Sequence, residues 1–197
     1  MSRRKSRSPV YLDWGEVKEL PMKDIIYILR AADDLVGLGG RQLLEKTLKG
    51  SKDKRVLAHG MDKNPAYGYY KDLPAEEVGR RVDWMIKKRY LGIFYSGRLP
   101  LLEYLPLGWE IEKNTYAKEM YADLHEKVMA GPPYQLIELR EANPEVVEVL
   151  LLLIKDSGMR AFVPYLEELK SLSTKKQRAK IEMVQRSLLG EETDSPL

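Results

Sequence analysis

Apolar residues recur at intervals of three and four through Ile25, Ile26, Ile28, Leu29, Ala32, Leu35 and Val36, which predicts an amphipathic helix starting at Met22. Gly37, Gly39 and Gly40 end that pattern. A shorter run of the same period, Leu43, Leu44 and Leu48, predicts a second helix that stops at Gly50. Ser51 is placed to cap a third, Asp53 to His59, by accepting an amide N–H of the following turn. Three short helices parted by glycine turns are what a helix-turn-helix core needs.

A fourth helix is expected after Pro74, with Glu76 and Glu77 near its positive end and Val78, Val82, Met85 and Ile86 as its buried stripe. The period then changes. Tyr90 to Tyr95 is β-branched and aromatic, Ser96-Gly97-Arg98 supplies a turn, and Leu101 to Leu107 returns, which predicts a hairpin wing. Gly108 and Trp109 are expected to end it, with Trp109 closing the core. Past residue 113 the pattern is helical: Tyr116, Met120, Leu124 and Val128 mark one helix, and Gly131-Pro132-Pro133 breaks it. Pro144 starts another that runs to Gly158, followed by Ala161 to Leu172 and Thr174 to Leu189. The expected fold is mainly α: a winged helix-turn-helix with a β-hairpin wing over 22–113, then a helical bundle over 114–197. A basic tail and lead-in occupy 1–21.

Composition narrows the class. With 197 residues, 44% hydrophobic and 32% charged, the chain can build one generous core or two small ones. The longest apolar run, Val149 to Ile154, is too short to cross a bilayer, and no apolar stretch follows the basic N-terminus. A cytoplasmic location is expected, nucleoid-associated in a prokaryote. Residues 1–9 hold four positive charges and nothing to bury after Met1, so a floppy tail is expected there. Residues 1–113 carry 22 Lys/Arg against 16 Asp/Glu, whereas residues 114–197 carry 11 against 14. A polyanion would therefore bind the front half.

Enzyme chemistry finds little support. The glycines at 37, 39 and 40 lead into Arg41-Gln42-Leu43 rather than Lys-Ser/Thr, so they do not form a phosphate-cradling P-loop. His59 and His125 are too few and too far apart for a metal cluster. Asp33-Asp34 and Asp62 could in principle bind a cation, but they do not amount to a metal site. No nucleophile, base and oxyanion set emerges. Neither a cofactor nor a metal is expected, and with no cysteines there are no disulfides or thiolate metal sites.

The chemistry that stands out is cationic. Lys49-Gly50-Ser51-Lys52-Asp53-Lys54-Arg55 joins a glycine loop to a helix start, and Tyr67-Gly68-Tyr69-Tyr70-Lys71-Asp72-Leu73 follows after a Gly60-x-Asp62-Lys63 turn. Gly50 lets backbone amides approach a phosphate, while Lys49, Lys52, Lys54 and Arg55 neutralise its charge.

This order resembles the RQC domain (the winged helix of RecQ helicases), here in a stand-alone, RQC-minor-like form over residues 24–112. The resemblance implies that Lys49, Ser51 and Arg55 contact phosphates at a duplex end. It also brings to attention an aromatic wedge that some of these helicases carry at the wing tip. The tip here is Ser96-Gly97-Arg98-Leu99-Pro100, so no aromatic holds the outermost turn. Leu99 is the nearest apolar residue, turned either outward as a wedge or inward to the core, and Tyr95 sits at the strand end. The four-cysteine zinc module of typical RecQ helicases is missing, and 197 residues leave no room for two ATPase lobes beside the wing.

The expected partner is double-stranded or forked DNA, gripped by Lys49, Gly50, Ser51, Lys52, Lys54, Arg55, Lys71 and Arg98. The C-terminal helices are left for a protein partner or self-association. Two other readings stay open: a groove-reading transcription regulator, and a protein-interaction adaptor with no nucleic-acid binding.

Overall fold

Proline starts and glycine stops set many of the element bounds in the computed structural model, which describes residues 10–137, 139 and 142–191. The tail expected over residues 1–9 lies outside them. The chain divides into two units, the first ending at Glu112 and the second beginning at Lys113.

In the first unit, α1 (Met22–Asp33) follows Pro21, and α2 (Arg41–Leu48) is stopped by Gly50, whose φ is +70°. A short α3 (Lys54–Ala58) and a single 3-10 turn (Met61–Lys63) lead to α4 (Ala75–Lys87). The wing is a two-stranded antiparallel hairpin, β1 (Leu91–Ser96) and β2 (Leu99–Tyr104), with Leu91 opposite Tyr104 and Ser96 opposite Leu99. Ile28, Leu29, Leu44, Leu48, Val56, Val82, Met85, Leu91 and Leu102 are fully buried in one cluster. Each contributes about 1.5–3 kcal/mol relative to exposure. Helices and wing therefore share one core.

The wing is also fastened from its outer edge. Gly37 N donates to Leu102 O and Leu102 N donates to Gly39 O, both at 2.9 Å. These bonds cover strand groups that would otherwise be open for pairing.

Three sequence expectations need correction. The third helix spans Lys54–Ala58 rather than Asp53 to His59, and its cap is Asp53, whose carboxylate accepts from Arg55 N at 2.9 Å. Ser51 instead accepts from Asp53 N at 3.2 Å, one step earlier. The returning strand ends at Tyr104, not Leu107, because Pro106 opens a long helix, α5 (Pro106–Ala130). Gly108 and Trp109 thus lie inside a helix. At Gly108 a Cβ would collide with the Tyr90 carbonyl oxygen, so this glycine lets α5 approach the foot of the wing. Trp109 is half-buried and packs against Tyr104, with ring centroids 5.7 Å apart.

The second unit takes the rest of α5 and adds α6 (Pro144–Ser157), α7 (Phe162–Leu169), a 3-10 turn (Lys170–Leu172) and α8 (Lys175–Leu189). Asn143 caps α6, and Thr174 with Gln177 forms a capping box on α8. Both α6 and α7 pack on α8, burying Leu150, Ile154, Phe162, Leu166, Ile181 and Val184. The fold is a winged helix followed by a helical bundle. No described helix is long and apolar enough to cross a membrane, and no group of metal-binding side chains occurs among the described residues.

Candidate nucleic-acid interface

The two motif segments meet. Gly68 N donates to Thr47 O at 2.9 Å and Tyr70 N to Leu48 O at 2.8 Å, so the later segment is bonded along the end of α2. Tyr67 Oη donates to Ser51 O at 3.2 Å. Gly50 and Gly68 touch through their backbones: a Cβ on Gly50 would stand 3.1 Å from Gly68 Cα. Lys49 completes the junction by donating from Nζ to Lys71 O at 2.6 Å and Leu73 O at 2.5 Å.

Lys49 is consequently half-buried with two of its three ammonium protons committed to carbonyls. Lys52, Lys54, Arg55 and Lys71 are exposed. Ser51 Oγ uses a lone pair on Asp53 N, which leaves its O–H to donate elsewhere. Asp53 is the one carboxylate in the loop. An ion pair with Lys46 at 2.5 Å, then the Arg55 amide, hold its carboxyl below the usual aspartate range. Arg55 keeps its side chain 62% exposed, with Nε 3.7 Å from Asp53 Oδ1.

Aromatic packing stiffens the same region from behind. Tyr69 stacks on Tyr27 with centroids 4.1 Å apart and donates to Asp24 Oδ1 at 2.8 Å. Burial, and then the Asp24 bond, push its phenol up to about 12. Tyr70 is buried and its phenol is raised further, chiefly by desolvation. Both rings are neutral anchors at physiological pH.

On the wing, Gly97 (φ +62°) and Arg98 make a two-residue turn between the paired Ser96 and Leu99. Arg98 is exposed and Leu99 is 66% exposed, so Leu99 turns outward rather than into the core. Tyr95 is half-buried. The wing tip and the Gly50 loop are carried on different elements.

The family model described as the RQC domain matches residues 20–127. The chain belongs to the RQC domain family. The match takes in the Gly50 loop, α4, the wing and most of α5, extending beyond the region in which the motifs were legible. Comparison with curated proteins and with solved structures gives no match. The RQC domain is a non-catalytic winged helix of nucleic-acid-binding type.

One feature of this RQC chain escaped the sequence reading. In a winged helix the helix entering the wing is the usual groove reader, and here that helix is α4. Residues 13–18 lie across its outward face. Asp13 N donates to Asp83 Oδ2 at 2.7 Å, Trp84 Nε1 donates to Lys18 O at 3.1 Å, and Lys87 Nζ sits 4.8 Å from the Trp14 ring centroid. Arg41 closes the arrangement from α2, its Nη1 within 2.6 Å of both oxygens of buried Asp83. The signal available beforehand was Trp14, a large aromatic in a stretch otherwise read as lead-in.

Proposed function

We propose that this RQC chain grips duplex DNA at ends, forks or junctions through phosphate contacts. The observation supporting this is the backbone junction of Gly50 with Gly68, which fixes the loop while Lys52, Lys54 and Arg55 remain exposed. A fixed loop spends little entropy on ordering when a phosphate arrives. Lys52, Lys54, Arg55 and the Ser51 hydroxyl make the main contacts, with Lys71 and Arg98 extending them. Lys49 contributes its remaining proton and holds the loop. Contacts of this kind give affinity and orientation, not base readout. The C-terminal helices serve self-association or a protein partner.

Cover on the outward face of α4 argues against a regulator that inserts this helix into the major groove. The five residues of α3 offer no Asn or Gln for base edges either. Outward-turned Leu99 is suited to touch a terminal base pair, a separate step from the grip.

The test titrates labelled blunt, forked and single-stranded DNA at several salt concentrations with wild type and K52E/R55E. Wild type should bind duplex or fork with strong salt dependence, and the variant should lose roughly tenfold or more. Absence of binding by micromolar protein at low salt hands the function to the adaptor reading. Preference for one sequence by several kcal/mol restores the regulator.

A further inference from the structure

We infer a second phosphate-binding patch, formed by Lys87, Lys88 and Arg89 at the foot of the wing, that takes nucleic-acid backbone; it rests on the DNA-binding reading above. Lys87 ends α4, and Lys88 and Arg89 lead through Tyr90 into β1. All three side chains are exposed. Earlier cations of the same helix are neutralised one turn back, Arg80 by Glu76 at 2.6 Å and Arg81 by Glu77 at 2.9 Å. No ion pair holds Lys87, Lys88 or Arg89 among the described residues. Two of them rest on aromatic rings instead: Lys87 over Trp14, and Lys88 with Nζ 5.8 Å from the Trp84 centroid. A ring steadies an ammonium without cancelling its charge.

Arg89 distinguishes this patch from an ordinary cationic helix end. Its φ is +63°, and every other described residue with positive φ is a glycine. Glycine would end the helix here without a steric penalty, whereas an L side chain is strained. The dipole at the C-terminus of α4 favours a cation, but Lys87 and Lys88 already supply that. What arginine adds is a forked donor matched to phosphate oxygens. The turn is also held on both sides, since Tyr90 N donates to Met85 O at 3.0 Å and Leu105 N donates to Tyr90 O at 3.2 Å. Three uncompensated cations thus stand on a fixed turn between α4 and the wing. A phosphodiester backbone fits them better than an acidic peptide, because the wing beside them belongs to a nucleic-acid-binding fold.

The experiment uses the full chain with labelled duplex DNA, comparing wild type, R89G, K87Q/K88Q/R89G and K52E/R55E at several salt concentrations, with thermal melts alongside. The slope of log K against log salt should fall by roughly 0.9 for each contact removed, and the triple variant should bind roughly tenfold more weakly. R89G should bind more weakly while melting at the same temperature or higher, a divergence that a purely structural role for Arg89 does not produce. If the 87–89 variants bind like wild type while K52E/R55E fails, this patch is overturned and the DNA grip stands. If wild type binds no DNA, the grip fails and the patch with it. Binding of polyglutamate in place of DNA, lost in the triple variant, overturns the phosphate assignment.

Discussion

Gly50 and Gly68 sit backbone against backbone, with φ of +70° and +72°, although seventeen residues of chain separate them. Their approach joins the cationic loop to the segment carrying Lys71. The loop owes its shape to this contact as much as to its own sequence.

Replacing the two glycines should have unequal effects. Gly68→Ala meets only ordinary contact, since its Cβ would lie 3.6 Å from Gly50 Cα, so the left-handed backbone sets a cost of about 1 kcal/mol. Gly50→Ala adds a 3.1 Å encounter with backbone that has to shift, for about 2–3 kcal/mol. Urea midpoints at constant m resolve the difference. Equal losses would show that the close approach is unimportant.

Lys49 and Lys52 separate stability from binding. Lys49→Met removes two charge-assisted bonds to carbonyls and should cost about 1 kcal/mol, with faster amide exchange across 71–73. Lys52→Met touches no such bond and should leave the melting temperature unchanged while weakening DNA binding. Circular-dichroism melts beside the DNA titration check both.

Removal of Arg41 should be worse than neutralisation of Asp83. Arg41→Ala strands a buried carboxylate that keeps only the Asp13 amide, at a cost of about 3 kcal/mol. Asp83→Asn leaves a guanidinium that is partly exposed and still faces Glu45 at 3.2 Å, and should cost about half as much. Hydrogen exchange at Asp13 should accelerate in both variants, because residues 13–18 lose their anchor.

Glu45 makes the stability of the fold depend on pH. Burial pushes its carboxyl above its ordinary value of 4.5, Arg41 offsets part of that, and Asp83 adds to it. A carboxyl raised in the folded state favours folding while protonated, and that contribution is lost as pH rises through the folded value. Glu45→Gln should therefore gain stability over wild type as pH climbs from 4.5 and hold the gain at neutrality. Denaturant midpoints between pH 4 and 7 measure it, and a constant gap would contradict the assignment.

The helices were legible because their apolar stripes bury against a core and recur at helical spacing, as Ile25, Ile28, Leu29 and Ala32 do. The hairpin was legible from its change of period and the glycine turn at 97. Its exit was not. Leu105-Pro106-Leu107-Gly108 contains a proline and a glycine that read equally well as the end of a strand, and only the crowding of Gly108 by the Tyr90 carbonyl explains a glycine inside α5. The cap of α3 was missed by two residues because Ser51 and Asp53 are both good caps. Which one serves depends on where the Gly50 turn, held by Gly68, releases the chain.

The sequence by itself determined the winged-helix class, the cationic segment and the family, since period, turn residues and motif order are local properties of the chain. The tertiary structure decided what those charges face. It turned Lys49 inward onto carbonyls while leaving Lys52, Lys54 and Arg55 outside, laid residues 13–18 over α4 through an Asp83 that lies 42 residues from its partner Arg41, and set Arg89 on a strained turn. Contacts between distant segments depend on how closely backbones can approach and on where buried charges find partners, and neither is written in the spacing of residues along the chain.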